Sequence, residues 1–300
     1  MPSYIQSLSE SIARSAARFP GMFQYGENIL QGSRLCGMAR SLSGRVQNVG
    51  NCENTHVGLG FGILAGGGRA ALYVKQLDFL MLAVDPLVNT SNLLAASGAA
   101  RGSFTIFVIV CDQGWQGPQS SANSLSSLCS VARANGYTLT HRAEADWILE
   151  RELGAPGFRI LALSQRLFGT EFLDLPLINA APEGNQFQIQ CGAGATVACL
   201  NFSLPQGLAF SARLTAAGSS ASLFTVHAAQ PHRWDLVIAD ARRTGRLIVL
   251  DDGKDACSLA HKLAHQAWRQ APGCCIEVHT REDEHDPRVH PDQFAPVIAA

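Results

Sequence analysis

The sequence predicts two doubly wound α/β domains in succession, and three observations carry that prediction. Apolar, β-branched runs such as TIFVIVC at 105–111 read as strands buried on both faces of a parallel sheet. They alternate with segments of helical periodicity, the βαβα order that places crossover helices over such a sheet. The alternation breaks once, at 169–185, where Pro176, Pro182 and Gly184 interrupt a stretch with little periodicity, and then resumes. A boundary there gives a first domain at 1–178 and a smaller second one at 179–300, and 300 residues suit two domains of ordinary size.

Ile5, Leu8, Ile12 and Ala16 recur at helical spacing and predict a short amphipathic first helix. The stretch lacks an apolar core of signal-peptide length, and Glu10 argues against a transit peptide. Next come a strand at 22–25, a helix at 29–38, a strand at 46–49, a helix at 54–65 and a strand at 70–74. A long apolar helix is expected at 78–95, capped by Asp78. The strand at 105–111 leads into a polar loop at 112–121, then a helix at 124–134, a strand at 137–141, a helix at 143–153 and a strand at 158–163. Past the linker, strands are expected at 196–200, 222–226, 247–250 and 275–278, with helices at 208–217 and 234–243 between them. A last helix, capped by Asp255, carries Leu259, Leu263 and Ala267 on one face and stops before Pro272.

Composition removes several classes of function. The net charge is −1 with no long run of either sign, so neither a nucleic-acid surface nor a polybasic membrane patch is expected. No stretch approaches the about 18 unbroken apolar residues of a membrane span. The nine cysteines include no C-x-x-C pair, which fits buried thiols in a reducing cytoplasm better than disulfides or a zinc ribbon. His279, Glu282, Asp283, Glu284, His285, Asp286 and His290 cluster near the end in no recognised ligand spacing, so a solvated tail and no metal site is the reading. His261 and His265 lack the glutamate of a zinc-hydrolase helix, and there is neither a nucleophile elbow nor a Walker loop. His227 and His232 flank Pro231 in a loop, where an interface role is the guess.

The stretch at 49–85 is where chemistry is expected. Gly58, Gly60, Gly62 and Gly66 lie in or beside the helix at 54–65, and each internal glycine costs about 1 kcal/mol against alanine. Gly58, Gly62 and Gly66 recur every fourth residue, so they share a face that another backbone can approach closely. The string does not match G-x-G-x-x-G, and no acidic residue follows at ribose-binding distance, so a dinucleotide site is not supported. Glu53 stands where the strand hands over to this helix. A carboxylate there is ordinarily a partner of the helix dipole. In a partly apolar cleft beside Val57, Leu59 and Phe61 it would instead hold a proton, in position to share it with a heterocycle nitrogen.

Four segments, MFQYGENI (22–29), NCENTHVGLGFGILAGGG (51–68), DFLMLAVDPLVN (78–89) and IFVIVCDQGWQGPQSS (106–121), resemble the pyrimidine-binding domain of thiamine diphosphate enzymes. The likeness is to β subunits of 2-oxo acid dehydrogenase decarboxylating components, with two-subunit transketolases next. The segment at 234–265 is similar, more loosely, to the C-terminal domain of that family. The resemblance implies that Glu53 hydrogen-bonds the cofactor's aminopyrimidine and is the catalytic carboxylate. It implies that Phe79 packs on the pyrimidine ring; without it, Phe79 reads as an ordinary core aromatic. It also gives the glycine face a purpose, close packing at a subunit interface beside the cofactor.

Two departures shape the expected activity. Dehydrogenase and transketolase members carry a histidine in the loop at 114–121, and Ser120 is aligned with it here. Ser120 and His56, one turn past Glu53, are the substrate candidates; equally, Ser120 reads as plain loop and His56 as interface. No G-D-G with a later asparagine exists, so the magnesium- and diphosphate-binding half belongs to another polypeptide; Asp251-Asp252-Gly253 lies in the wrong domain. The resulting expectation is a cytoplasmic β-type subunit, partnered by an α-type chain as an α2β2 heterotetramer, with thiamine diphosphate and Mg2+ as cofactors. It would transfer an acyl or ketol unit from a 2-oxo acid or ketose by transketolase-like or acyloin-forming chemistry. A lipoyl-linked dehydrogenase subunit and a catalytically reduced scaffold are the alternatives.

Overall fold

Strand β4 (Ser103–Val110) is buried along its whole length, as its unbroken apolar sequence requires, and the first sheet is built around it. The computed structural model describes residues 2–113, 123–253, 258–281, 294 and 296–298. They divide into two compact units, one of residues 1–112 and 128–174 and the other of residues 113–127 and 175–300.

The first unit contains α1 (Tyr4–Ala16), β1 (Phe23–Glu27), β2 (Val46–Val49), α2 (Glu53–Ala65), β3 (Arg69–Val74), α3 (Ser91–Ala96) and β4. After α4 (Leu125–Ala132), through which the division between the units passes, come β5 (Asn135–Thr138), α5 (Arg142–Glu152) and β6 (Gly157–Ser164). The strand order is β2-β1-β3-β4-β6-β5, parallel at every pairing. Because β2 and β3 flank β1, the chain reverses direction across the sheet between β1 and β3. That crevice, outside the carboxyl ends of the strands, is where open α/β sheets hold ligands.

The second unit contains β7 (Asn179–Ala180), β8 (Gln186–Gln190), β9 (Ala195–Leu200), α6 (Leu204–Ala216), β10 (Ala221–Val226), α7 (Asp235–Thr244), β11 (Arg246–Asp251), α8 (Leu259–Gln270) and β12 (Cys275–His279). Its sheet runs β12-β11-β9-β10-β8-β7, with the last two strands antiparallel. Val197, Leu223, Ile248 and Leu250 form its core with Phe210 of α6.

Three expectations are corrected. The helix expected at 29–38 is only a 3-10 turn, Leu35–Gly37, entered through left-handed backbone at Arg34, Leu35 and Cys36 (φ of 48°, 54° and 54°). Ile29, Leu35 and Met38 are buried without it, so the apolar spacing reports burial and not a helix. The helix expected at 78–95 is a 3-10 turn (Leu77–Ala83), a π turn (Pro86–Thr90) and α3, bent by 79° where Pro86 removes an N–H donor. Strand β8 was not expected. Its sequence QFQIQ alternates, with Phe187 and Ile189 inward, which is the period-2 signal of a half-buried strand. The proposed cap Asp255 lies outside the described residues, and Ser258 holds the N-cap of α8.

The glycines of α2 divide by face. A Cβ on Gly60 would collide with the Phe104 ring, so Gly60 is what lets the helix lie on β4. Gly58 and Gly62 have nothing within 4 Å of where a Cβ would be, and Gly66 meets only carbonyls of its own helix. Leu59 on the same helix is 43% exposed, and Leu82 on the neighbouring turn is 63% exposed. Among the described residues no single helix is long and apolar enough to cross a membrane.

Candidate functional site

The crevice between β1 and β3 holds a small pocket that opens to solvent. Glu27, the last residue of β1, and Glu53, the first residue of α2, both line it, with His56 and Lys75. Val57, Leu72, Val74 and Leu80 supply apolar walls. Placement follows from the strand order: α2 connects β2 to β3, so its first turn, carrying Glu53 and His56, arrives beside the end of β1.

Glu53 is half-buried at the positive end of the α2 dipole, with Cys52 at the N-cap. Among the described residues no hydrogen bond reaches its carboxyl, which leaves both oxygens available to a ligand. Glu27 is better anchored. Its Oε1 accepts the Cys52 N–H at 3.2 Å and lies 3.7 Å from His56 Nε2. Burial raises the Glu27 carboxyl above its ordinary value, the nearby Glu53 charge raises it further, and the Cys52 N–H and His56 pull the other way. The His56 Nε2 is also 2.5 Å from the Gly50 carbonyl oxygen, and the Tyr25 hydroxyl donates to the His56 carbonyl at 2.7 Å. Two carboxyls in one partly apolar cavity, one of them biased toward its protonated form, are equipped to hold and exchange a proton with a bound heterocycle or carbonyl compound.

Of the residues singled out from sequence, Glu53 and His56 meet in this cavity. Phe79 does not line it. It is half-buried on the 3-10 turn Leu77–Ala83, whose Leu80 forms part of the wall. Ser120 lies outside the described residues. Glu27 is not among the residues singled out from sequence; it enters the site as the last residue of β1, which the strand order places at the switch point. The other histidines are built into the second unit. The His232 ring stacks on Trp234 at 5.9 Å, and its pKa is lowered by burial and by Lys262. His261 meets the Ser258 hydroxyl at 3.2 Å, and His227 is buried. Among the described residues no group of three or more potential metal ligands exists. His279 faces Glu277 at 3.7 Å, and the rest of that acidic–histidine cluster is outside the described residues.

No protein-family profile matches the chain. Sequence comparison finds a pyruvate dehydrogenase E1 component subunit beta from Rhizobium meliloti, 22% identical over 274 residues, which cover 87% of this chain and 55% of that protein. It also finds an acetoin:2,6-dichlorophenolindophenol oxidoreductase subunit beta from Cupriavidus necator, 19% identical over 283 residues, covering 89% of this chain and 84% of that one. The chain thus spans about half the length of the first relative and most of the second. Among solved structures, a split-gene transketolase described as an inactive beta4 tetramer matches with a TM-score of 0.73 at 15% identity, over 94% of this chain and 90% of that one. A transketolase from Campylobacter jejuni matches with a TM-score of 0.63 at 12% identity, over 94% of this chain and 42% of that one. The chain therefore has the transketolase-type fold and resembles β subunits along nearly its whole length.

Proposed function

We infer that this chain is the β-type subunit of a heteromeric thiamine diphosphate enzyme, with Glu53 as its catalytic carboxylate. The observation that carries the reading is Glu53 itself, a half-buried carboxyl without a hydrogen-bond partner among the described residues, at the mouth of an apolar-walled cavity in the switch-point crevice. The residues present fit the pyrimidine half of the cofactor. Glu53 would take the ring nitrogen, and Val57, Leu72 and Leu80 would flank the ring. Phe79 is proposed to pack on the ring from the turn that also carries the wall residue Leu80. The pocket is far smaller than the roughly 300–1,000 Å³ typical of sites for whole ligands. The sequence has no magnesium–diphosphate motif, so the rest of the site is assigned to the partner chain.

Thiamine diphosphate, when bound, supplies the electron sink for making or breaking a carbon–carbon bond beside a carbonyl. The protein's share is proton control and orientation. Glu53 holds a proton at the ring nitrogen, and the apolar walls exclude water from that hydrogen bond. The proposed reaction moves an acyl or ketol unit from a 2-oxo acid or ketose in transketolase-like or acyloin-forming fashion, with His56 facing substrate and Ser120 in place of the loop histidine. We propose 1–178 as the pyrimidine domain and 179–300 as the C-terminal domain. An α-type chain completes the site in an α2β2 assembly, bringing the Mg2+ and diphosphate contacts, and the free thiols suit the cytoplasm. That a solved structural neighbour is inactive as a β-only tetramer supports the need for a partner. The names of both sequence relatives favour a second reading, an oxidative 2-oxo acid or acetoin enzyme.

The test pairs the chain with its α-type partner. The chain alone is expected to bind thiamine diphosphate weakly, and the complex to bind it with magnesium. Glu53→Gln is expected to leave the complex assembled while lowering turnover by about 1,000-fold or more, roughly 4 kcal/mol in the barrier. Full activity in that variant sinks the mechanism, and tight cofactor binding by the isolated chain sinks the shared site. Replacing the ketose or aldehyde acceptor with lipoamide or a dye separates the two readings of the reaction.

A further inference from the structure

Away from that pocket, the first turns of α1 and the segment joining β1 to β2 flank an open groove of about 370 Å³. That volume lies within the roughly 300–1,000 Å³ of small-molecule sites. The whole groove belongs to the first unit. Its two walls are tied where the Ser41 N–H donates to Oγ of the buried Ser9 at 3.0 Å. Ile5 and Cys36, both half-buried, give it an apolar patch. Two charged side chains line it, Glu10 from α1 and Arg40 from the opposite wall. Both are exposed, and among the described residues no hydrogen bond or ion pair reaches either side chain. Arg14, one helical turn past Glu10, is engaged with Asp146 at 3.1 Å instead. The Arg40 wall is also strained. Arg34, Leu35 and Cys36 are left-handed (φ of 48°, 54° and 54°), and Gly37 follows at 100°. Successive non-glycine residues in that region persist only where their surroundings hold them, and such strain gathers at ligand clamps.

The charge pattern selects the ligand. An inorganic anion or a nucleotide would satisfy Arg40 but face Glu10, and a metal cation would face Arg40. An uncharged ligand would leave both side chains to water. A molecule with one cationic and one anionic group answers both, and charge-assisted contacts of this kind are the strong ones. We propose that this groove is a binding site for a free α-amino acid with a short aliphatic or hydroxylated side chain. Arg40 takes the carboxylate, Glu10 takes the ammonium group, and the side chain lies over Ile5 and Cys36. The proposal is independent of the thiamine diphosphate reading and stands or falls without it.

The test titrates the full chain with L-alanine, L-valine and L-threonine by calorimetry. At least one of them is expected to bind one-to-one. Its presence should slow the alkylation of Cys36 by iodoacetamide, read by peptide mass mapping. Arg40→Met and Glu10→Gln should each weaken that binding about 10- to 100-fold, the loss of one charge-assisted contact. Arg40→Lys, which keeps the charge, should lose less than Arg40→Met. The N-acetyl and amide derivatives of the ligand, which lack the ammonium and carboxylate charges respectively, should bind the wild-type chain as weakly as the free amino acid binds the two variants. If a variant fails to fold, these derivatives decide alone. No binding of any of the three amino acids at millimolar concentration overturns the proposal. Binding that survives the loss of either charge, on the protein or on the ligand, overturns it too. So does binding that leaves Cys36 as reactive as before, since the ligand then sits elsewhere.

Discussion

The two sheets each reverse direction at a crevice outside their carboxyl strand ends, and they use it in opposite ways. In the first unit the crevice between β1 and β3 stays open, with Glu27 and Glu53 lining a cavity. In the second unit the equivalent crevice lies between β9 and β11, and it also has two acidic residues, Asp251 and Asp252. There the chain's own donors take up one oxygen of each carboxylate. Asp251 Oδ1 accepts from Asn201 Nδ2 at 2.5 Å and from the Gly253 N–H at 2.9 Å, and Asp252 Oδ1 accepts the Phe202 N–H at 2.9 Å. Both residues are at most 1% exposed, and a Cβ on Gly253 would stand 2.6 Å from Asn201 Nδ2. Topology supplies the place for a ligand. Whether a ligand can use it depends on whether the lone pairs at that place are already committed.

The largest stability difference should appear when that contrast is cut at its sealed end. Asp251→Ala leaves the Asn201 amide and the Gly253 N–H without their acceptor inside the protein, at about 1–3 kcal/mol for each buried donor. Urea denaturation of the purified chain should show this as a lowered midpoint. Glu53→Gln, which orphans nothing among the described residues, should stay within about 0.5 kcal/mol of wild type. Equal destabilisation by the two changes would mean that Glu53 is structural after all, and the contrast between the crevices would collapse.

The two glycine faces of α2 give the next comparison. Gly60→Ala drives a methyl into the Phe104 ring on β4, and overpacking of this kind costs about 1–3 kcal/mol. Gly62→Ala adds a methyl where nothing lies within 4 Å, so the isolated chain should gain about 0.5–1 kcal/mol from the better helix former. The same substitution should weaken association with the proposed α-type partner if the open face is where that chain packs. Thermal melts of both variants, with sedimentation of the mixed subunits, separate the effects. A Gly62→Ala chain that both melts higher and assembles normally would remove the interface role from this face.

How far the sequence was readable follows from the kind of signal each feature leaves. The parallel strands were clear because burial on both faces produces unbroken runs such as the one in β4. The segment at 78–95 was misread because apolar periodicity reports which residues face inward, and Pro86 redirects the backbone without changing that pattern. The place of Glu53 at a strand-to-helix junction was legible, since it begins α2 directly after the loop that follows β2. Glu27 was not, because it enters the site through the order of the strands. Only once β2 and β3 are known to flank β1 does the end of β1 become the floor of a cavity. The His56–Gly50–Glu27 contacts depend on turn geometry that no spacing rule encodes.

The smallest expected effect is a change in the pH dependence of stability, and it asks whether the open crevice is held at a cost. Glu27 has its carboxyl raised above the ordinary 4.5, first by burial and then by Glu53. Below 4.5 the folded and unfolded chains both carry this proton, and Glu27 contributes no pH dependence. As pH rises past that value the unfolded chain ionises first while the folded chain keeps its proton. The folded state then binds more protons, so stability falls with rising pH until the folded carboxyl has also ionised, and it stays lowered beyond that. Glu27→Gln retains an oxygen to accept the Cys52 N–H and removes the titration. It should therefore match wild type in acid and become the more stable of the two as pH climbs through that window, read as denaturation midpoints at matched salt. Because the site is partly open to solvent, screening keeps the difference small. Parallel wild-type and Glu27→Gln curves across the whole range would mean that Glu27 ionises alike in the folded and unfolded chains, and the open crevice would then carry no electrostatic penalty from this residue.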